Sequence, residues 1–114
     1  MNTEKEALMT VDRVAEVTGL TRALIYRAAE LRALGAPAHF IYAHGVVVFR
    51  PAGLCQLAEA LQVEQPAAAK ALAFELQRVR ERAAGAGVLT AADAEAQRLA
   101  RRWDLQHEAR EGAA

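Results

Sequence analysis

Between Thr10 and Glu30 the apolar residues fall at steps of three and four with charges between them, the spacing of amphipathic helices. The stretch reads as two short helices joined by a tight turn at Gly19. Thr10 is placed to cap the first helix, and Asp12 in its first turn suits the helix dipole. That helix runs to about Thr18. Thr21 can cap the second, which runs to about Ala33. Val14 and Leu20, with Leu24, Ile25, Ala28, Leu31 and Leu34 on the second helix, form an inner stripe. Arg22, Tyr26, Arg27 and Glu30 fall towards the other side, and Gly35 and Pro37 end the helix.

The period then changes. Phe40–Ala43 and Val46–Phe49 are rich in β-branched and aromatic residues and are separated by His44-Gly45, which predicts a β-hairpin with a tight turn. Pro51 opens a third helix, where its missing N–H costs nothing. Leu54, Leu57, Ala58 and Leu61 give that helix one apolar face. Pro66 opens a fourth, with Ala69, Leu72, Leu76, Val79 and Ala83 at coiled-coil spacing until Gly85 and Gly87 stop it. Thr90 and Asp93 form a capping box with Asp in the usual Glu place. A fifth helix then runs to about Arg110, its stripe being Ala92, Ala96, Leu99 and Trp103. Ahead of the first helix, Leu8 and Met9 either form a short strand or pack beneath it.

Composition narrows the class. At 114 residues with 54% hydrophobic residues, much of it Ala, the chain suits one mainly helical unit or one unit with an appendage. Formal net charge is zero, so charge gives no global support for a nucleic-acid partner. The single Cys55 excludes an internal disulfide framework. No leader-like or membrane-spanning apolar run is visible, so a cytoplasmic protein without a membrane partner is expected.

Ala15, Gly19 and Ile25 carry more than helix propensity. A small residue lets the second helix cross closely, Gly19 can take positive φ, and Ile25 packs back between the helices. This A-x3-G-x5-I spacing resembles a DNA-binding helix-turn-helix. With Gly19-Leu20-Thr21-Arg22, Tyr26-Arg27, the hairpin and Phe49-Arg50 before a third helix, residues 8–62 resemble the MerR and excisionase-like winged helices. The chain departs from that pattern in Arg50-Pro51, where a polar cap is usual, and in a wing tip, His44-Gly45, with no Arg or Lys. The resemblance implies a winged helix-turn-helix of three helices plus a β-hairpin, followed by a C-terminal two-helix appendage.

In that frame the second helix lies in the major groove of double-stranded DNA. Arg22 is assigned to base edges or phosphate, Thr21 to phosphate at the helix N-terminus, and Tyr26 and Arg27 to phosphate or sugar. Arg50 and His44 are the wing candidates. Residues 31–58 hold no acid; with the second helix added, Arg22, Arg27, Arg32 and Arg50 stand against Glu30 alone, which would give a neutral protein a local basic face. Each Arg also has the plain alternative of a solvated helix face.

Residues 66–110 are expected to form a helical hairpin. Leu72, Leu76, Val79, Leu99 and Trp103 would each contribute roughly 2 kcal/mol when buried, either in a homodimer's four-helix bundle, as MerR-like proteins imply, or as a cap on the winged domain. About fifty residues beyond the winged domain leave little room for a separate sensing domain, so no small-molecule effector is expected.

Catalysis is not expected. The chain has no Ser, no Gly-rich phosphate loop and no convergent titratable set. Cys55 reads as a small packed residue beside an apolar face. His39, His44 and Cys55 lack the spacing of a structural zinc site, so neither a metal nor a cofactor is expected. Asp93, Glu95, Asp104 and Glu108 read as solvated charges. The functional expectation is a dimeric MerR-like transcriptional regulator. Its alternatives are a phage or mobile-element factor of the excisionase or terminase-small-subunit kind, and a winged-helix protein-interaction module that does not bind DNA.

Overall fold

Thr10 joins the sheet to the first helix. It is the last residue of β1 (Met9–Thr10), paired with Val48, and the N-cap of α1 (Val11–Thr18), its Oγ1 accepting from the Arg13 N–H at 3.1 Å. The structure, a computed structural model, describes residues 6–31, 39–43, 45–85 and 87–112.

α1 ends at Gly19, whose φ of 74° is left-handed and whose N–H donates to Ala15 O at 2.9 Å. Leu20 and Thr21 carry the chain to α2 (Arg22–Leu31), where Thr21 Oγ1 accepts from the Leu24 N–H at 3.3 Å. The expected end of this helix, with Arg32, Leu34, Gly35 and Pro37, lies outside the described residues. β2 (Phe40–Ala43) and β3 (Val46–Phe49) pair antiparallel from Phe40↔Phe49 to Ala43↔Val46, and Gly45 in their turn has a φ of 76°. β1 joins the other edge of β3, giving the order β1-β3-β2, so the short-strand alternative for Met9 is the one adopted. α3 (Pro51–Gln62), α4 (Pro66–Ala83) and α5 (Ala91–Gly112) follow. The fold is mainly helical, with five helices and one small antiparallel sheet among the described residues.

Two apolar clusters lie on opposite faces of this sheet. Met9 and Phe49 meet Val14, Ile25, Leu54, Leu57, Leu72, Leu76 and Val79 on one side. Leu8, Ile41 and Val48 meet Ala96 and Ala100 on the other, with Leu99 and Trp103 packed against them. α4 therefore lies on α1 and α3, and α5 lies on the sheet.

This corrects the expectation of a C-terminal helical hairpin offered to a second copy. The heptad seam of α4 is real, but Leu72, Leu76 and Val79 are buried in the chain's own core, where larger apolar partners than a second Ala-rich seam are at hand. Leu99 and Trp103 cover the sheet instead of α4. Leu24, expected on the inner stripe of α2, is 44% exposed, while Ile25 and Ala28 are buried.

Asp93 is the second correction, because it is buried and paired. Its box with Thr90 is reciprocal: the Thr90 N–H donates to Asp93 Oδ2 and the Asp93 N–H donates to Thr90 Oγ1, both at 3.1 Å. Arg82 Nε donates to Asp93 Oδ2 at 2.5 Å, and Arg82 Nη2 donates to Glu75 Oε1 at 3.0 Å. Arg13 Nη2 reaches the same Glu75 oxygen at 3.3 Å, so one ionic chain ties α1, α4 and the start of α5. Burial by itself would raise the Asp93 pKa; the bonds from Arg82 and Thr90 outweigh it and hold the carboxyl below the usual carboxylate range. The hydrogen bond to Asp93 raises the Arg82 pKa further.

Because the folded Asp93 pKa is depressed, its contribution is complete above the unfolded value of about 3.9 and is lost as pH falls through the folded one. Asp93→Asn should cost about 2–3 kcal/mol near pH 7, Glu75 remaining as a partner for Arg82. Urea melts should show the gap to wild type shrinking below about pH 4; a gap that stays constant with pH would contradict the assignment.

Gly53 in α3 is the close-approach glycine. A Cβ there would meet the His39 backbone oxygen at 2.0 Å. Gly53→Ala should destabilise by about 1–3 kcal/mol through forced backbone shifts. Equal urea midpoints for variant and wild type would show that α3 does not pack this closely.

Candidate nucleic-acid interface

The outward side of α2 follows from which of its residues the core takes. Ile25 and Ala28 point into the main cluster, and this leaves Thr21, Arg22, Ala23, Leu24, Tyr26, Arg27 and Glu30 exposed. Polar and apolar groups alternate on that surface, so it offers both hydrogen bonding and apolar contact. Thr21 Oγ1 is occupied as an acceptor by the Leu24 N–H, and its hydroxyl proton remains available to donate.

Tertiary structure brings acids to two of the expected arginines. Arg22 Nη2 lies 2.5 Å from Asp12 Oδ1 on α1, both side chains largely exposed. Arg50 Nη1 donates to both Glu6 oxygens, at 2.6 and 2.8 Å, and its side chain is only 22% exposed. Arg50 Nε is buried without a hydrogen-bond partner. Exposed pairs of this kind are worth about 0–1 kcal/mol, so an approaching phosphate can replace Asp12 at Arg22 at modest cost. Arg27 makes no ion pair among the described residues. The absence of acid from residues 31–58 therefore did not describe the surface, because Glu6 and Asp12 arrive from elsewhere in the chain.

Arg22, Tyr26 and Arg27 are exposed on α2 and Thr21 just before it; Arg22 and Tyr26 share one side, while Arg27 borders the groove lined by Leu61 and Glu64. Arg50 sits apart, at the junction of β3 and α3, where it is the N-cap without a side-chain capping bond. His44, the other wing candidate, lies outside the described residues. Tyr42 on β2 is exposed and was not among the expected contacts. The sequence reading also passed over Arg98, Arg101 and Arg102 on α5, which are exposed. Their signal was a stretch from Ala96 to Trp103 with three Arg and no acid.

Cys55 is exposed rather than packed, with Arg80 Nη2 at 3.7 Å from its Sγ, because α3 turns its apolar face away from it. Among the described residues no group of three or more His, Cys, Asp or Glu side chains is arranged to hold a metal ion. None of the described helices is long and apolar enough to cross a membrane. Comparison with protein-family models, curated proteins and solved structures gives no match.

The outward turn of Leu24 has a direct check. Ile25→Ala should cost about 2–5 kcal/mol and Leu24→Ala less than about 1 kcal/mol in urea melts. Comparable losses from the two would mean that α2 is rotated from the orientation described.

Proposed function

We propose that the chain is a small DNA-binding protein of the winged helix-turn-helix kind, taking double-stranded DNA with α2 and serving as a MerR-like transcriptional regulator. The main support is the left-handed turn at Gly19 with Ile25 buried behind it, which leaves Thr21, Arg22 and Tyr26 exposed at the start of α2, with Leu24 and Arg27 exposed on its flank beside Leu61 and Glu64. A recognition helix needs such a surface: donors at its N-terminal end for base edges and phosphate, and apolar groups for thymine methyls. The antiparallel hairpin that follows supplies the wing in this reading.

Arg27 is the α2 cation with no ion-pair partner among the described residues, so it carries the phosphate contact most simply. Arg22 joins it by exchanging Asp12 for phosphate. A homodimer built on Leu72, Leu76 and Val79 forms no part of the proposal, because those side chains fill the core of one chain.

A second reading, a protein-interaction module, has its own support. The paired Arg22 and Arg50 leave little net charge near α2 and the hairpin. An open groove of about 720 Å³ between α3 and α4 is lined by Ala58, Val63, Pro66, Ala67 and Ala73.

Random-sequence duplex DNA at low and moderate salt separates the two. Wild type should bind at micromolar concentration or tighter and weaken steeply with salt. Arg22→Ala with Arg27→Ala should lower affinity by about tenfold or more and flatten the salt slope by about 2. No binding by wild type at low salt would overturn the DNA reading in favour of the interaction module.

A further inference from the structure

α5 carries its own basic row. Arg98, Arg101 and Arg102 are exposed, and none pairs with another described residue. On a helix, steps of three and one place the three within an arc of roughly 100° and about 6 Å of axis. The opposite side of α5, with Ala96, Ala100, Leu99 and Trp103, is packed on the sheet. That packing fixes the rotation of α5 and directs the guanidinium groups outward together. No acid lies between Ala96 and Trp103; Glu95 and Asp104 stand at the two ends of the stretch.

Arg27, Arg78 and Arg80 also lack a carboxylate partner among the described residues, but α5 groups three such side chains on one exposed arc. Arg13, Arg22, Arg50 and Arg82 all have carboxylate partners. A row of forked, permanently charged donors on a fixed helix matches a regular polyanion. An anionic membrane suits it less well, since a surface-lying helix needs an apolar side for the lipid and that side of α5 is already buried on the sheet. α5 itself packs on β2 and β3 of the hairpin, and the row lies on the side of α5 turned away from those strands.

On the basis of the DNA reading above, we propose that Arg98, Arg101 and Arg102 form a second phosphate-contact surface, by which the outward side of α5 holds the duplex backbone. The row makes up for the arginine that Glu6 occupies at the wing. It raises a set of two α2 contacts to about five per chain, enough for a single copy to bind DNA measurably at low salt.

The test uses the full chain and fluorescence anisotropy with a random-sequence duplex between 50 and 200 mM salt, with circular dichroism to confirm folding. The triple variant Arg98→Ala, Arg101→Ala, Arg102→Ala should bind about tenfold or more weakly at low salt. Its log–log salt slope should be shallower by about 2–3, each lost phosphate contact removing about 0.9. The triple Lys variant should retain most of the slope, which loss of helix structure would not allow. Unchanged affinity and slope in the Ala variant, with wild type binding, would overturn the α5 contact and leave the α2 reading standing. Absence of wild-type binding would overturn both. Phosphatidylserine vesicles bound by wild type and not by the Ala variant, with DNA binding equal in the two, would assign the row to a membrane and overturn the proposal.

Discussion

Burial of β3 on both faces and pairing on both edges is the constraint on which the other elements depend. Phe49 faces the helices and Val48 faces α5, each almost wholly buried. β1 occupies one edge and β2 the other. A strand of four residues cannot hold such a position alone, so α5 is needed to cover one side and α1, α3 and α4 the other. β1 in turn sets the start of α1 through Thr10, and α1 with Gly19 sets the angle at which α2 projects. The geometry of the proposed α2 surface thus traces back to β3.

The ionic chain from Arg13 through Glu75 and Arg82 to Asp93 works on a different link. Hydrophobic burial is non-directional and leaves the ends of α4 and α5 free to slide. Charged hydrogen bonds with fixed forks specify one arrangement of those ends. The start of α5 is thereby tied to α4 and α1, while its apolar side rests on the sheet and the arginine row faces out.

Much of the fold could be read from local signals. The Thr10 and Thr21 caps, the Gly19 turn, the His44-Gly45 hairpin position, Pro at the start of α3 and α4, and the Thr90–Asp93 box each depend on a few neighbouring residues, and local chemistry decides them. What was not legible depended on which face met which partner. The α4 seam has the same spacing whether it meets a second chain or the chain's own α1 and α3. Leu24 and Ile25 are adjacent, equally apolar and both compatible with an inner stripe; only the crossing angle of α1 and α2 chooses between them. Asp93 read as solvated because its partner, Arg82, lies eleven residues earlier on a different helix. Glu6 and Asp12 neutralise Arg50 and Arg22 across the fold, so a segment without acids did not make an unopposed basic surface.

The central claim is that α2 presents the DNA-contacting surface, and its most direct measurement is a backbone-amide NMR titration of the full chain with a short random-sequence duplex. The account predicts the largest shifts at Thr21–Arg27, with Val63–Ala73 on the α3–α4 groove unmoved. An absence of shifts at α2, or shifts confined to the groove residues, would contradict it.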